Sequence, residues 1–315
     1  MKVQILGGFL GAGKTTLARA LAREYRHAGE QVAIITNDQG QSLVDTELCR
    51  ESTDGLYEIT GGCFCCLYPE LETALLAARD AGATVAIAEA VGSCTDLVAT
   101  VVGPLADRHA SFSIEPLAVL VDPWRIHDRQ RSRLGDDVDF LVRKQIEEAD
   151  VVVLSRADLD PPDVMATIRE WNPNAPVVSV SGQTGEGIAA WRQMSSAYRA
   201  TPLSIDYDRY AKAEALLGWC NARVLLRAKR GLNVRDAMGR FLGAMTALPV
   251  AHVKVASLEP AGIGGAITSE NGEPQLHGDV AMTHESETRW LLNARVALSP
   301  AELEHAVRAA VSIAA

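Results

Sequence analysis

Apolar positions follow two rhythms along this chain. Up to about residue 200 they fall in short unbroken runs: Val3–Leu6, Val32–Thr36, Thr84–Ala88, Pro116–Val121, Val151–Leu154 and Val177–Val180. Between these runs, apolar residues recur every three or four positions, as in Thr16–Glu24, Pro69–Ala81, Val138–Glu148 and Pro162–Trp171. Strands apolar on both faces, separated by amphipathic helices, predict an α/β domain whose mostly parallel sheet is covered on both sides. That domain is expected over residues 1–200.

The rhythm then changes. Residues 202–210 read as a loop, Ala211–Leu217 as a helix, Ala222–Leu226 as a strand, Val234–Ala247 as a helix and Val250–Leu258 as a strand. A Gly-rich polar stretch over 259–285 follows, then a strand over Glu287–Leu298. Ser299-Pro300-Ala301-Glu302 opens a last helix, with the Ser and Glu of a capping box and Pro at the first helical position. These elements predict a smaller α+β domain over residues 201–315, with a split βαβ arrangement.

The first strand-to-helix turn carries the most specific pattern. Gly8 to Thr15 fits G-x-x-x-x-G-K-[ST], the P-loop, between an apolar strand and a helix. Glycines let backbone N–H groups converge on phosphate oxygens, and the helix N-terminus adds partial positive charge. The motif predicts a nucleoside triphosphate over Gly11, Ala12, Gly13, Lys14, Thr15 and Thr16, with Gly8 opening the loop. Lys14 would reach the β- and γ-phosphates, and the Thr15 hydroxyl would ligate Mg²⁺.

A second cluster reads Gly61-Gly62-Cys63-Phe64-Cys65-Cys66. Three thiols within four residues can offer soft ligands to Zn²⁺ or a similar ion, and the glycines permit the sharp turn that brings them together. Three such ligands leave a fourth to be found elsewhere, or an open position. A redox role and packing as small buried thiols are the other readings of the same residues. With six cysteines in 315 residues, a disulfide scaffold is not the explanation.

Composition narrows the partners. A formal net charge of −10 disfavours a nucleic-acid surface, and no stretch approaches the roughly 20 apolar residues of a membrane span. The chain enters its first strand at once, with no basic segment ahead of an apolar one, so a cytoplasmic protein without nucleic-acid or membrane partners is expected.

Gly-Gly-Phe-Leu-Gly-Ala-Gly-Lys-Thr-Thr, followed some fifty residues later by Gly-Gly-Cys-Phe-Cys-Cys, resembles the CobW-type P-loop GTPases, relatives of the nickel-insertion GTPases of urease and hydrogenase. The resemblance implies a metal chaperone or metalloenzyme activator. It would hydrolyse GTP to GDP and couple turnover to Zn²⁺ or Co²⁺ at Cys63, Cys65 and Cys66, with a client metalloprotein and a possible homodimer as partners. It also implies a switch at Asn37-Asp38-Gln39-Gly40, with Asp38 near Mg²⁺ and Asp45 positioning the hydrolytic water; Gln41 stands where the family often has a second Glu. Glu89 and Gly92 match the family's Glu-x-x-Gly, with Glu89 at Mg²⁺ or the water and Gly92 at the γ-phosphate.

Ser155-Arg156-Ala157-Asp158 stands where guanine-specific GTPases place Asn-Lys-x-Asp. The Asp158 carboxylate suits the N1–H and N2–H₂ donors of guanine, which adenine lacks. Ser155 is shorter than Asn, Arg156 can lay its stem along the base, and Ser181, in Val180–Gly185, resembles the loop that backs the base with a backbone N–H. Cys94 reads as a packing thiol, with ligation the less favoured alternative. His277 and His284 are the best candidates for an accessory metal contact in the second domain, and scattered histidines are more often surface or core residues. Two other functions fit the P-loop: a kinase or phosphotransferase with structural cysteines, and a zinc-sensing nucleotide switch.

Overall fold

A computed structural model describes residues 1–38, 49, 52–194, 199–259, 261–268, 272–278 and 284–315. Eight strands form a wholly parallel sheet: β1 (Lys2–Gly8), β2 (Val32–Asp38), β3 (Gly55–Thr60), β4 (Val85–Glu89), β5 (Ser113–Ile114), β6 (Ala118–Val121), β7 (Val151–Leu154) and β8 (Val177–Ser179). Their order is β3-β2-β4-β1-β6-β7-β8, with β5 also paired to β1. β1 thus lies between β4 and β6, so the turn leaving it opens at the carboxyl edge between the ends of two neighbours. That edge is where open α/β sheets bind ligands.

Helix α1 (Lys14–His27) shows why the pattern folds this way. Leu17, Ala18, Leu21, Ala22 and Tyr25 recur along one face and are buried with Leu6, Ile34, Ile87, Leu120 and Val153 of the strands. Each fully buried aliphatic side chain there contributes about 1.5–3 kcal/mol. Helices α2 (Tyr68–Asp80) and α3 (Asp136–Glu147) stand near their predicted places.

Several elements escape the apolar rhythm. β3 buries only Ile59 and runs along the sheet edge, so its sequence lacks the unbroken apolar run of the inner strands. A π-helical turn over Val98–Val102 continues into a helix over Gly103–Arg108. The helix expected from Pro162 begins at Met165, whose N–H donates to Asp163 Oδ1 at 2.9 Å.

A five-stranded antiparallel sheet follows in the order β12-β11-β10-β13-β9. Its strands are β9 (Gly218–Asn233), β10 (Val250–Glu259), β11 (Ala261–Ile267), β12 (Gln275–His277) and β13 (His284–Val296). β9 and β10 flank β13 and are joined through helix α4 (Val234–Met245), which is the expected split βαβ unit. Helix α5 (Pro300–Ala314) starts with the full Ser299–Glu302 capping box. Met238, Phe241 and Leu242 of α4 share one core with Trp290 of β13 and Leu303 and Val307 of α5.

The Gly-rich polar stretch contains β11 and β12. A Cβ on Gly265 would lie 2.7 Å from Leu242 and 2.8 Å from Leu276, so glycine is what lets β11 lie this close to α4 and β12. By internal contacts, residues 211–315 and Arg131–Val138 form one unit and most of residues 1–210 the other. Arg133 is tied to the second by hydrogen bonds to Ala247 and Leu248 carbonyls at 3.0 and 2.8 Å.

Candidate functional site

The turn from β1 to α1 is held by its own side chains. Lys14 is buried and donates to the Gly8 carbonyl at 2.8 Å and that of Phe9 at 3.3 Å, while Ala12 N–H donates to Phe9 O. Gly13 caps α1 in the left-handed region, at φ 94°. The Thr15 hydroxyl donates to Glu89 Oε1 at 2.9 Å, joining the first turn of α1 to the end of β4. These are hard oxygen donors of the kind Mg²⁺ takes, so the pair fits that ion. Gly92 rests against the loop from the other side. A Cβ there would fall 2.6 Å from Leu10 Cδ2 and 2.9 Å from Leu10 N, so only glycine fits between them.

The expected base-reading residues stand at the ends of β7 and β8. Ser155 is buried with its hydroxyl on Val121 O, and Asp158 is exposed in the one-turn 3₁₀ helix Ala157–Leu159. Arg156 has a left-handed backbone, φ 61°. Its guanidinium pairs with the buried Asp122 at 3.2 Å and donates to Gly11 O at 3.3 Å. The charge of Arg156 therefore braces the phosphate loop.

Ser181 N–H donates to Glu186 O at 3.0 Å, and its hydroxyl accepts from Gln183 and Thr184 N–H. The loop meets α1 through Gly182, whose Cβ would lie 3.0 Å from Thr16 Cγ2. Asp38 ends β2, but its side chain, and Gln39, Gly40, Gln41 and Asp45 altogether, lie outside the described residues. The side chain of His284 is also outside them, while His277 is exposed at the end of β12.

The thiol loop follows β3. Cys63 carbonyl accepts from Cys66 N–H at 3.0 Å and Leu67 N–H at 2.9 Å, and this tight turn gathers the sulfurs. Cys63 Sγ lies 2.7 Å from Cys65 Sγ and 3.2 Å from Cys66 Sγ, with 4.0 Å between the latter two. Among the described residues this is the group of three or more side chains whose ligand atoms converge. None of the six cysteines forms a disulfide. The hydrogen bond from Cys65, and then that from Cys94, holds the Cys63 thiol well below the ordinary range, whereas bonding to Cys63 pushes Cys65 up. This donor set fits a soft divalent ion.

Three side chains tie the loops together in roles that no motif states. Asn37, on β2, donates through Nδ2 to Gly62 O at 2.7 Å and Ile59 O at 3.1 Å, fastening the strand before the expected switch to the thiol loop. Gln145 of α3 donates to Gly92 O at 3.0 Å and Cys94 O at 2.8 Å. Cys94 itself is buried with its sulfur 3.9 Å from Cys65 Sγ, so it faces thiols and not only apolar neighbours, contrary to the packing expectation. The sheet order gives the one available signal. β3 and β4 both flank β2, so the loops that leave them share one edge about 10 Å apart.

Residues 2–179 match the family described as CobW/HypB/UreG, nucleotide-binding domain. Among individual proteins, the chain is 29% identical over 192 residues to the zinc chaperone YjiA of Escherichia coli, covering 57% of each. It is 28% identical over 206 residues to the zinc chaperone CobW of Pseudomonas aeruginosa, covering 54% of this chain and 52% of that one. A third similar protein is the zinc-regulated GTPase metalloprotein activator 1 of Schizosaccharomyces pombe, 28% identical over 188 residues, with 53% and 42% covered. The chain thus spans about half the length of the relatives it matches. A crystal structure of HypB from Helicobacter pylori in complex with nickel aligns with a TM-score of 0.45 at 19% identity, over 64% of this chain and 91% of that one. No described helix is long and apolar enough to cross a membrane.

Proposed function

The chain belongs to the CobW/HypB/UreG family, and from that premise we propose that it hydrolyses GTP and couples turnover to binding and release of Zn²⁺ at Cys63, Cys65 and Cys66. Three of its relatives carry names of zinc chaperones or of a zinc-regulated GTPase activator. Its own residues supply both halves of that activity.

On the phosphate side, Lys14 exchanges the Gly8 and Phe9 carbonyls for phosphate oxygens, with N–H groups of Gly11 to Thr16 around them. Thr15 and Glu89, with Asp38, would hold Mg²⁺, which neutralises charge developing on the transferred phosphoryl group. Glu89 and Asp45 orient the attacking water, and the Gly92 N–H faces the γ-phosphate. Asp158 reads guanine beside Ser155, and Arg156 holds the loop through Gly11 and Asp122. In this reading residues 1–200 form the GTPase domain and residues 201–315 receive the client metalloprotein. A second copy of the chain is the other partner it expects.

The observation that carries the coupling is the Asn37 side chain, which joins β2 to the thiol loop through Gly62 O at 2.7 Å. A γ-phosphate-dependent shift after β2 would reach the zinc ligands through that bond. The test is hydrolysis of GTP and ATP by metal-stripped protein at fixed Mg²⁺, with one equivalent of Zn²⁺ or Co²⁺ added or withheld. GTP turnover that responds to the added metal, and a Cys65→Ser variant that loses the response, is the expected result. Preference for ATP, or turnover indifferent to both metals, would overturn it and favour a phosphotransferase.

A further inference from the structure

We propose that Cys94 is the fourth ligand of the thiol site, closing Cys63, Cys65 and Cys66 into a tetrathiolate for a soft divalent ion. The proposal rests on the reading that this loop binds metal, and it replaces the open position left by a three-thiol motif.

With Zn–S bonds of about 2.3 Å, tetrahedral ligand sulfurs stand about 3.8 Å apart. Cys94 Sγ lies 3.9 Å from Cys65 Sγ, and Cys65 Sγ lies 4.0 Å from Cys66 Sγ, so two edges already have that length. The edges at Cys63, 2.7 and 3.2 Å, are shorter and open by side-chain rotation within one turn. Cys94 stands outside the converged group of Cys63, Cys65 and Cys66 and touches it at Cys65, so side-chain rotation on binding is what brings it onto the ion.

Its backbone is fixed for the purpose. Cys94 N–H donates to Val91 O at 2.9 Å, and Gln145 holds the Cys94 carbonyl from α3. Cys66 is exposed and Cys94 buried, so the four sulfurs run from the surface inward. The ion enters at Cys66 and is sealed at Cys94. Binding forms four metal–sulfur bonds, and each thiol protonated beforehand releases its proton to the solvent.

The fourth ligand also has a distinctive address. Cys94 follows Gly92 by two residues, and Gly92 abuts Leu10 of the phosphate loop. A tetrathiolate therefore ties the loop after β3 to the segment that leaves β4 beside the phosphates. Withdrawing Cys94 opens the site for transfer without dismantling the other three bonds.

The test uses the full-length, reduced, metal-stripped chain. X-ray absorption of the Zn²⁺-loaded wild type should return four sulfurs at about 2.3 Å. Co²⁺ titration should give one tetrahedral ion per chain with strong sulfur-to-metal charge transfer. In Cys94→Ala that band should drop by about a quarter and affinity by more than about tenfold, since losing a group that merely orients a ligand costs about that much. A wild-type count of three sulfurs with one oxygen or nitrogen, or a Cys94→Ala spectrum and affinity equal to wild type, would overturn the proposal and leave the three-thiol reading intact. Absence of Co²⁺ and Zn²⁺ binding by the wild type would overturn both. The wild-type sulfur count needs no variant, so the test survives a Cys94→Ala chain that fails to fold.

Discussion

Two donor sets hang from the end of the same strand, and they differ in every chemical respect. Glu89, the last residue of β4, meets the Thr15 hydroxyl, and both are oxygen donors fixed by a strand end and a helix start. Five residues later, Cys94 meets a loop of thiols with an exposed outer member. Oxygen sets take Mg²⁺ and sulfur sets take Zn²⁺, because hardness and coordination geometry sort ions where affinity alone would not. On the proposed reading, Mg²⁺ falls to the first set and Zn²⁺ to the second. The rigid set suits chemistry and the loop-borne set suits transfer.

The largest break in this comparison should come from Lys14→Ala. Removing that ammonium should lower GTP turnover about 100-fold or more, the usual loss for one preorganised charge-stabilising group, while Co²⁺ stoichiometry stays at wild type. Steady-state hydrolysis and metal titration on the same preparation check it, and loss of metal binding as well would mean the two sites are not separable.

Asn37→Ala should have an intermediate effect. It deletes the bonds to Ile59 and Gly62 carbonyls and should cost about 1–2 kcal/mol of stability. Metal binding and basal turnover should persist, and the response of turnover to metal should shrink several-fold. An undiminished response would place the coupling elsewhere.

The smallest effect on either donor set is expected from Glu148→Gln. Glu148 is fully buried, and burial, reinforced by nearby Asp96, lifts its carboxyl from the ordinary 4.5 to about 8 against the Val98 N–H that favours the charged form. The folded chain therefore keeps this proton while the unfolded chain gives it up. The stabilisation is complete below about pH 4.5 and is lost as pH rises through about 8. Denaturant melts across that window should slope downward in wild type and flatten in Glu148→Gln, with metal stoichiometry unchanged. A Glu148→Gln slope equal to wild type would reassign the pH dependence.

The sequence made the parallel sheet readable because its inner strands are apolar on both faces. The phosphate loop was readable because glycine, lysine and threonine must stand at fixed spacing to cradle phosphate. What escaped was whatever depends on approach between distant segments. Gly264 and Gly265 look like loop residues until α4 and His277 lie against them. Cys94 looks like a packing thiol until the order β3-β2-β4 brings two loops to one edge. Asn37 and Gln145 each hold two loop carbonyls through one side-chain amide, bonds that no spacing records.

The place of β13 in the second sheet has a consequence for how the chain is made. β9 and β10 are separated in space by β13, which pairs with both and follows both in the sequence. A ribosome adding about 5–20 residues per second exposes β9 and β10 well before the strand that joins them exists. Until then the two strands offer unpaired backbone edges, a state prone to association between nascent chains. A stop codon placed just ahead of His284 should therefore yield a chain whose second unit misassembles and whose first unit still folds.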